Sequence, residues 1–121
     1  MLTLYHRLGG ATAIESLVTS FYDKIMGDDR INYFFEGVDM NALMAKQRGF
    51  LTMVLGGPQY YQPIELRHSH ERLIKMGLND THFDVVIEHL RATLEGLNLS
   101  ESEITTVIAI AETTRKDVLN R

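Results

Sequence analysis

Apolar side chains recur at intervals of three and four residues along almost the whole chain of 121 residues. This spacing places side chains on one face of an α-helix, whereas a half-buried strand would alternate apolar and polar residues. Glycine pairs at positions 9–10 and 56–57 and single glycines at 27 and 77 interrupt the pattern. Because glycine commonly ends helices, the chain is predicted to be an all-α protein.

The apolar pattern predicts four main helices and two short ones. The main helices cover residues 11–27, 40–55, 81–97 and 100–121, and the short ones cover residues 28–35 and 63–77. Thr81 with Asp84 resembles a capping box, and so does Ser100 with Glu103. Between the helices, an ordered loop is predicted over residues 58–63, since it contains both prolines of the chain.

Composition narrows the class of protein further. The absence of cysteine excludes disulfides and thiolate metal sites, and it suits a reducing compartment. A net charge of -4 argues against a nucleic-acid surface, which needs clustered Lys and Arg. The sequence shows neither a secretory leader nor an apolar stretch of about 18 residues. We therefore expect a single cytoplasmic domain over residues 1–121, without nucleic-acid or membrane partners.

A histidine interrupts the apolar face of the segment that opens at Pro63. His70 follows Leu66 by four residues and precedes Leu73 by three, so the three side chains share one helical face. A buried imidazole needs a partner, and a core histidine bonded to a backbone carbonyl is the common case. Axial ligation of a metal cofactor is the alternative, and the spacing alone leaves both open.

Tyr22 and Gln47 likewise interrupt apolar faces, on the helices predicted over residues 11–27 and 40–55. Burying an amide is costly unless it is hydrogen-bonded, so Gln47 requires a polar neighbour. The Tyr22 phenol could supply one, although a tyrosine at such a position is usually a core residue. A donor pair on one wall of a pocket and His70 on the other would suit a diatomic gas bound to a haem iron.

The remaining cations and histidines carry weaker signals. Lys46 precedes Gln47 and is expected either at the surface or extended along the edge of a negatively charged cofactor. His68 lies on the opposite side of its helix from Leu66 and is expected to be exposed. The other three histidines have no partner pattern and are expected to face solvent: His6, His82 and His89.

In order and spacing, a series of short segments resembles the group I truncated haemoglobins over essentially the whole chain. That resemblance implies a truncated globin fold, a two-over-two helical sandwich around haem. The matching segments are Leu4-Tyr5 through Leu8-Gly9-Gly10, Phe21-Tyr22, Asp28-Asp29-Arg30-Ile31, Phe34-Phe35, Lys46-Gln47, Phe50-Leu51, Leu55-Gly56-Gly57-Pro58, His70, His82-Phe83 and Asp117-Val118-Leu119-Asn120.

The resemblance also implies roles for individual residues around a b-type haem. His70 matches the proximal iron ligand, and Tyr22 and Gln47 match the distal hydrogen-bonding pair. Leu43 matches the distal gate position, where many relatives have glutamine, and Phe35 resembles the phenylalanine that wedges against the porphyrin. Apolar haem contacts are expected from Leu51, Leu66, Leu73, Phe83, Val86 and Ile87.

Three further positions bear on how haem is held. Lys46 and Arg67 are candidates to pair with the propionates. Lys46 stands where some relatives have a histidine that closes onto the iron, and a lysine could do so only after losing its proton. Thr114 stands where some relatives have a histidine bonded to a haem vinyl group, so non-covalent haem is expected.

The resemblance implies reversible binding of O2 and other diatomic gases such as NO and CO. Dioxygenation of NO, with re-reduction by an external reductase, is one hypothesis for its use. Oxygen storage or delivery is another, and a peroxidase-like or nitrite-reducing role is a third. A non-haem helical phosphotransfer or interaction module is the alternative from a different class, and exposed His68 would serve it better than His70.

Overall fold

The computed structural model describes residues 3–56, 63–97 and 99–121, without the side chains at 63–66 and 69. Throughout these ranges the regular structure is helical, which confirms the predicted all-α class. None of the described helices is long and apolar enough to cross a membrane. The helices are α1 (Leu4–Leu8), α2 (Ala11–Met26), a 3₁₀ helix (Asn32–Phe35), α3 (Met40–Val54), α4 (Pro63–Lys75), α5 (Asp80–Glu95), α6 (Glu101–Glu112) and α7 (Arg115–Val118).

The predicted helix over residues 100–121 is wrong as a continuous element. It breaks at Thr113 and Thr114, whose hydroxyls donate to the carbonyls of Ile110 and Ala111 at 2.6 and 2.7 Å. Threonine hydroxyls compete in this way for carbonyls near a helix end. The short helix α1 was also missed, and most of the loop predicted over residues 58–63 lies outside the described residues.

The predicted caps had different outcomes. Ser100 and Glu103 form both arms of the expected capping box, with bonds of 3.1 and 2.9 Å. The box predicted from Thr81 is wrong, because α5 begins earlier and Asn79 is its N-cap. The Asn79 side chain accepts a hydrogen bond from the Thr81 backbone N–H at 3.0 Å, and the Asn79 backbone N–H donates to His82 Nδ1 at 3.1 Å.

The long helices form two stacked pairs. Helix α2 packs against α3, and α5 packs against α6. The pairs meet where α2 contacts α5 and α3 contacts α6, which gives the predicted two-over-two arrangement. Completely or almost completely buried aliphatic side chains fill the centre: Val18, Ile25, Ile31, Leu51, Leu94 and Val107.

The first glycine pair makes the turn that joins α1 to α2. Gly9 and Gly10 have φ angles of 114° and 69°, a region that residues with side chains rarely adopt. The turn lets α1 reach back to the end of α3, where the Tyr5 N–H donates to the Leu55 carbonyl at 2.9 Å. Gly56 follows at a φ of 86°, so the chain also turns sharply as α3 ends.

Candidate functional site

A cavity of about 420 Å³ lies among the helices. Its volume is in the range of ordinary small-molecule and cofactor sites. Side chains from α2, the 3₁₀ helix, α3, α4 and α5 line it, together with residues near the end of the chain. Most of these side chains are apolar, so the few polar ones mark where specific chemistry could occur.

Helix α4 brings a histidine to this cavity. His70 is half-buried and lines the cavity together with Leu73, which lies one turn further along the same face. The side chain of Leu66, predicted on that face, lies outside the described residues. An imidazole on an apolar cavity wall can act as a hydrogen-bonding group or as a metal ligand.

Helices α2 and α3 bring the two predicted polar residues to the same cavity. Tyr22 is 5% exposed, and its ring meets Phe35 edge-on at a centroid distance of 6.0 Å. The neighbouring Phe21 ring packs against Tyr22 at 5.4 Å, so two aromatic contacts fix the position of the phenol. Gln47 and Leu43 are half-buried and line the cavity from α3. Direct pairing of Tyr22 with Gln47 stays a prediction.

The apolar residues expected around the cofactor converge on this cavity. Leu51 and Phe83 are buried, and the others are half-buried. Helix α5 supplies three of them, from positions three or four residues apart on one face. The expected apolar residues that line the cavity are Phe35, Leu43, Leu51, Leu73, Phe83, Val86 and Ile87.

The cations are arranged differently from the expectation. Lys46 is exposed and lines the cavity. Arg67 is not among the described lining residues, and its guanidinium donates to Asp117 Oδ1 at 3.2 Å. Arg72 lines the cavity instead. Sequence reasoning missed it because a position two residues after His70 is on a different helical face.

Two histidines expected to face solvent have defined partners instead, so those expectations are wrong. His82 lines the cavity, with its ring 4.9 Å from Phe34 and its Nε2 atom 3.3 Å from the Tyr33 hydroxyl. His89 lies with its Nε2 atom 2.7 Å from Asp28 Oδ2, and its side chain is only 15% exposed. The sequence held a signal for one contact of His82, because its position three residues after Asn79 suits the bond that the Asn79 N–H donates to it.

Asp28, Glu88 and His89 place potential metal-ligating atoms within 4.8 Å of one another. The Arg30 guanidinium already donates to both carboxylates, at 2.6 Å to Asp28 and 2.8 Å to Glu88. Those hydrogen bonds from Arg30 hold the pKa of Asp28 well below its usual range, and the same pairing raises the pKa of Arg30. We therefore interpret this group as an ion-pair cluster that ties the chain after α2 to α5.

A histidine, a buried tyrosine and a glutamine around one apolar cavity in a two-over-two helical fold define a globin-like class of protein. The sequence profile of bacterial-like globins matches residues 3–120. The group 1 truncated haemoglobin GlbN of Synechocystis sp. is 43% identical over 124 aligned residues, with 100% of both chains covered. The chain belongs to the bacterial-like globin family, and its relatives place it among the group 1 truncated haemoglobins.

Solved structures show the same fold. The 2/2 haemoglobin of Synechococcus sp. PCC 7002, in the cyanomet state with covalently attached haem, matches with a TM-score of 0.90 and 39% identity, covering 99% of this chain and 100% of that one. The truncated haemoglobin of Tetrahymena pyriformis in its Fe(III) form matches with a TM-score of 0.85 and 39% identity, covering 98% of each chain. These matches confirm the predicted truncated globin fold.

The family makes this chain a haem protein that binds diatomic gases. The side chains present fit haem, because the cavity combines one imidazole for iron with apolar walls for a macrocycle and cations for carboxylates. The phosphotransfer alternative is not supported. His70 lines the cavity, and His68, whose side chain is 83% exposed, lies 3.7 Å from the carboxylate of Glu71.

Proposed function

We propose that this protein converts nitric oxide to nitrate with O2, in a cavity where His70 would ligate the iron of a haem. The observation that carries the proposal is the meeting of three polar groups in one apolar cavity, the imidazole of His70, the phenol of Tyr22 and the amide of Gln47. The overall reaction, NO with O2 and one electron giving nitrate, is balanced only with an electron donor. A reductase or a small one-electron donor must therefore act as a partner.

Haem, when bound, supplies an iron atom with an open position for a gas. Side chains of the protein would stabilise the gas and limit the access of water. Tyr22 and Gln47 both line the cavity, and a phenol and an amide can donate hydrogen bonds to oxygen atoms that gain electron density. Because hydrogen bonds to charged acceptors are stronger than those to neutral ones, these donors would hold O2 until NO enters. The apolar lining excludes water, which limits loss of the bound gas by side reactions.

We further propose that the haem is haem b, held without a covalent bond to protein. Thr114 is 9% exposed and lines the cavity, and its hydroxyl donates to the Ala111 carbonyl at 2.7 Å. This hydroxyl is thus committed to the backbone, and threonine lacks the nucleophilic nitrogen that histidine offers at this position in some relatives. On the cavity rim, Lys46 and Arg72 are the cations best placed for the propionates.

Stopped-flow mixing of the oxygenated protein with NO tests the proposed reaction. We expect rapid oxidation of the haem with one nitrate formed for each NO consumed. Many turnovers should follow only when a one-electron donor is supplied, as in the reducing cytoplasm that a cysteine-free chain suits. Slow NO consumption under these conditions would favour oxygen storage or delivery, and sustained turnover without any donor would contradict the proposed cycle.

Lys46 is expected to bind the iron through its neutral amine. Its side chain is exposed, and an ammonium must lose its proton before it can act as a ligand. Visible spectra of the ferric protein should therefore show a low-spin form that grows with pH and is missing from Lys46→Ala. Lys75→Ala is the matched control, because Lys75 is an exposed lysine on α4 and is not among the described residues that line the cavity. A low-spin form that persists in Lys46→Ala would show that Lys46 is not the ligand.

A further inference from the structure

The helix that carries His70 packs against α7 and bonds to the residues that follow it. Among the described residues, the most extensive helix contact of α4 is with the short helix α7. The segment Asp117–Arg121, which includes the end of α7, makes three hydrogen bonds to a single residue of α4. We call these bonds and the four residues that make them, Arg67, Asp117, Asn120 and Arg121, the C-terminal clasp.

Arg67 contributes both its side chain and its backbone to the clasp. Its Nη1 atom donates to Asp117 Oδ1 at 3.2 Å and to the Arg121 backbone carbonyl at 3.3 Å. Its own carbonyl accepts from the Asn120 side-chain amide at 3.0 Å. The Arg67 and Asp117 side chains are 34% and 25% exposed, so their ion pair is partly shielded from solvent.

Asn120 takes an unusual backbone conformation to make its bond. Its φ angle is 56°, and it is the only non-glycine residue in the described ranges with a positive φ. Asparagine tolerates this left-handed region better than most residues do. The turn here directs the chain so that the Asn120 amide reaches α4 and the Arg121 carbonyl meets Arg67.

The clasp also reaches α5. The Arg121 guanidinium donates to both carboxylate oxygens of Asp80, at 2.5 and 2.8 Å. Arg115 donates to the same carboxylate at 3.0 Å, and its guanidinium lies over the Phe83 ring at 4.4 Å. Since Phe83 lines the cavity, the end of the chain connects α4 to a helix that forms another part of the cavity wall.

We propose that Arg67, Asp117 and Asn120 are positioning residues that set the orientation of His70 toward the iron. Arg67 precedes His70 by three residues, about one helical turn, so bonds that fix Arg67 also fix the local rotation of α4. None of the three is among the described residues that line the cavity, so they act through α4 rather than on a ligand. This inference rests on the proposed ligation of iron by His70.

Two variants of the haem-loaded protein test the clasp. Asp117→Asn keeps the shape of the side chain and removes its charge, and Asn120→Gly removes the amide while glycine accepts the positive φ without strain. For each variant we expect amide hydrogen exchange in α4 to rise about fivefold, the factor that corresponds to one net hydrogen bond. Exchange in α2 should stay unchanged. The iron–histidine stretching band in resonance Raman spectra of the ferrous protein should shift or broaden.

Glu101→Gln is the matched control for Asp117→Asn, since it neutralises one member of the surface pair Arg91–Glu101, which joins α5 to α6. Unchanged exchange in α4 together with an unchanged iron–histidine band would overturn the positioning role. Equal acceleration in α2 and α4 would also overturn it, because that result indicates a general loss of stability. Absence of the band from the unsubstituted protein would instead refute ligation by His70, and exchange in α4 would then still report on the clasp.

Discussion

Replacing His70 with glycine is expected to abolish stoichiometric haem binding, and imidazole added to the solution is expected to restore it. The loss should exceed the roughly 10- to 100-fold that removal of an outer partner costs a metal site, because the ligand itself is gone. Glycine leaves room for a free imidazole where the His70 ring lines the cavity. Its cost to helix stability is about 1 kcal/mol, which circular dichroism can monitor. Titration with haem, followed at the Soret band, measures the effect.

The matched control is His68→Gly, which introduces the same backbone change at an exposed histidine of the same helix. It should bind haem as the unsubstituted protein does. Extraction with acidified butanone should remove the haem from His68→Gly and from the unsubstituted protein, as expected for haem without a covalent bond. Undiminished haem binding by His70→Gly in the absence of imidazole would refute the assigned ligand.

The sequence could predict which side chains face the cavity because helical periodicity fixes direction. Tyr22, Gln47 and His70 each interrupt an apolar face, and each lines the cavity in the structure. A polar residue on such a face is costly to bury without a function or a partner, so these interruptions were informative. Their roles toward a ligand came from the family resemblance and stay predictions.

Tertiary contacts between distant residues could not be predicted from the sequence. The partners of His89 and Arg67 lie 61 and 50 residues away, at Asp28 and Asp117, and no local spacing connects them. Long flexible cations are especially hard to place, because an arginine can reach several neighbours from one backbone position. The predicted last helix breaks at Thr114, whose hydroxyl donates to a backbone carbonyl. Threonine hydroxyls do this at only some helical positions, and the sequence does not show which.

Tyr22→Phe is expected to speed the release of O2 by about 10- to 150-fold, the range that corresponds to a hydrogen bond of roughly 1.5 to 3 kcal/mol with a charged acceptor. The substitution keeps the ring that packs against Phe35 and Phe21, so the loss is confined to the hydroxyl. Displacement of O2 by CO in a stopped-flow instrument gives the dissociation rate. An unchanged rate would contradict the role assigned to the Tyr22 phenol.

Tyr33→Phe provides the control, since it removes a hydroxyl from an exposed tyrosine that lies 3.3 Å from His82 Nε2 and is not among the described residues that line the cavity. Gln47→Leu and the double variant with Tyr22→Phe then separate the two donors. If both hydrogen-bond the same O2, their effects should not add, because residues that share one partner are coupled. Additive effects would indicate that Gln47 acts on the ligand independently of Tyr22, and no effect of Gln47→Leu would leave Tyr22 as the donor that controls O2 release.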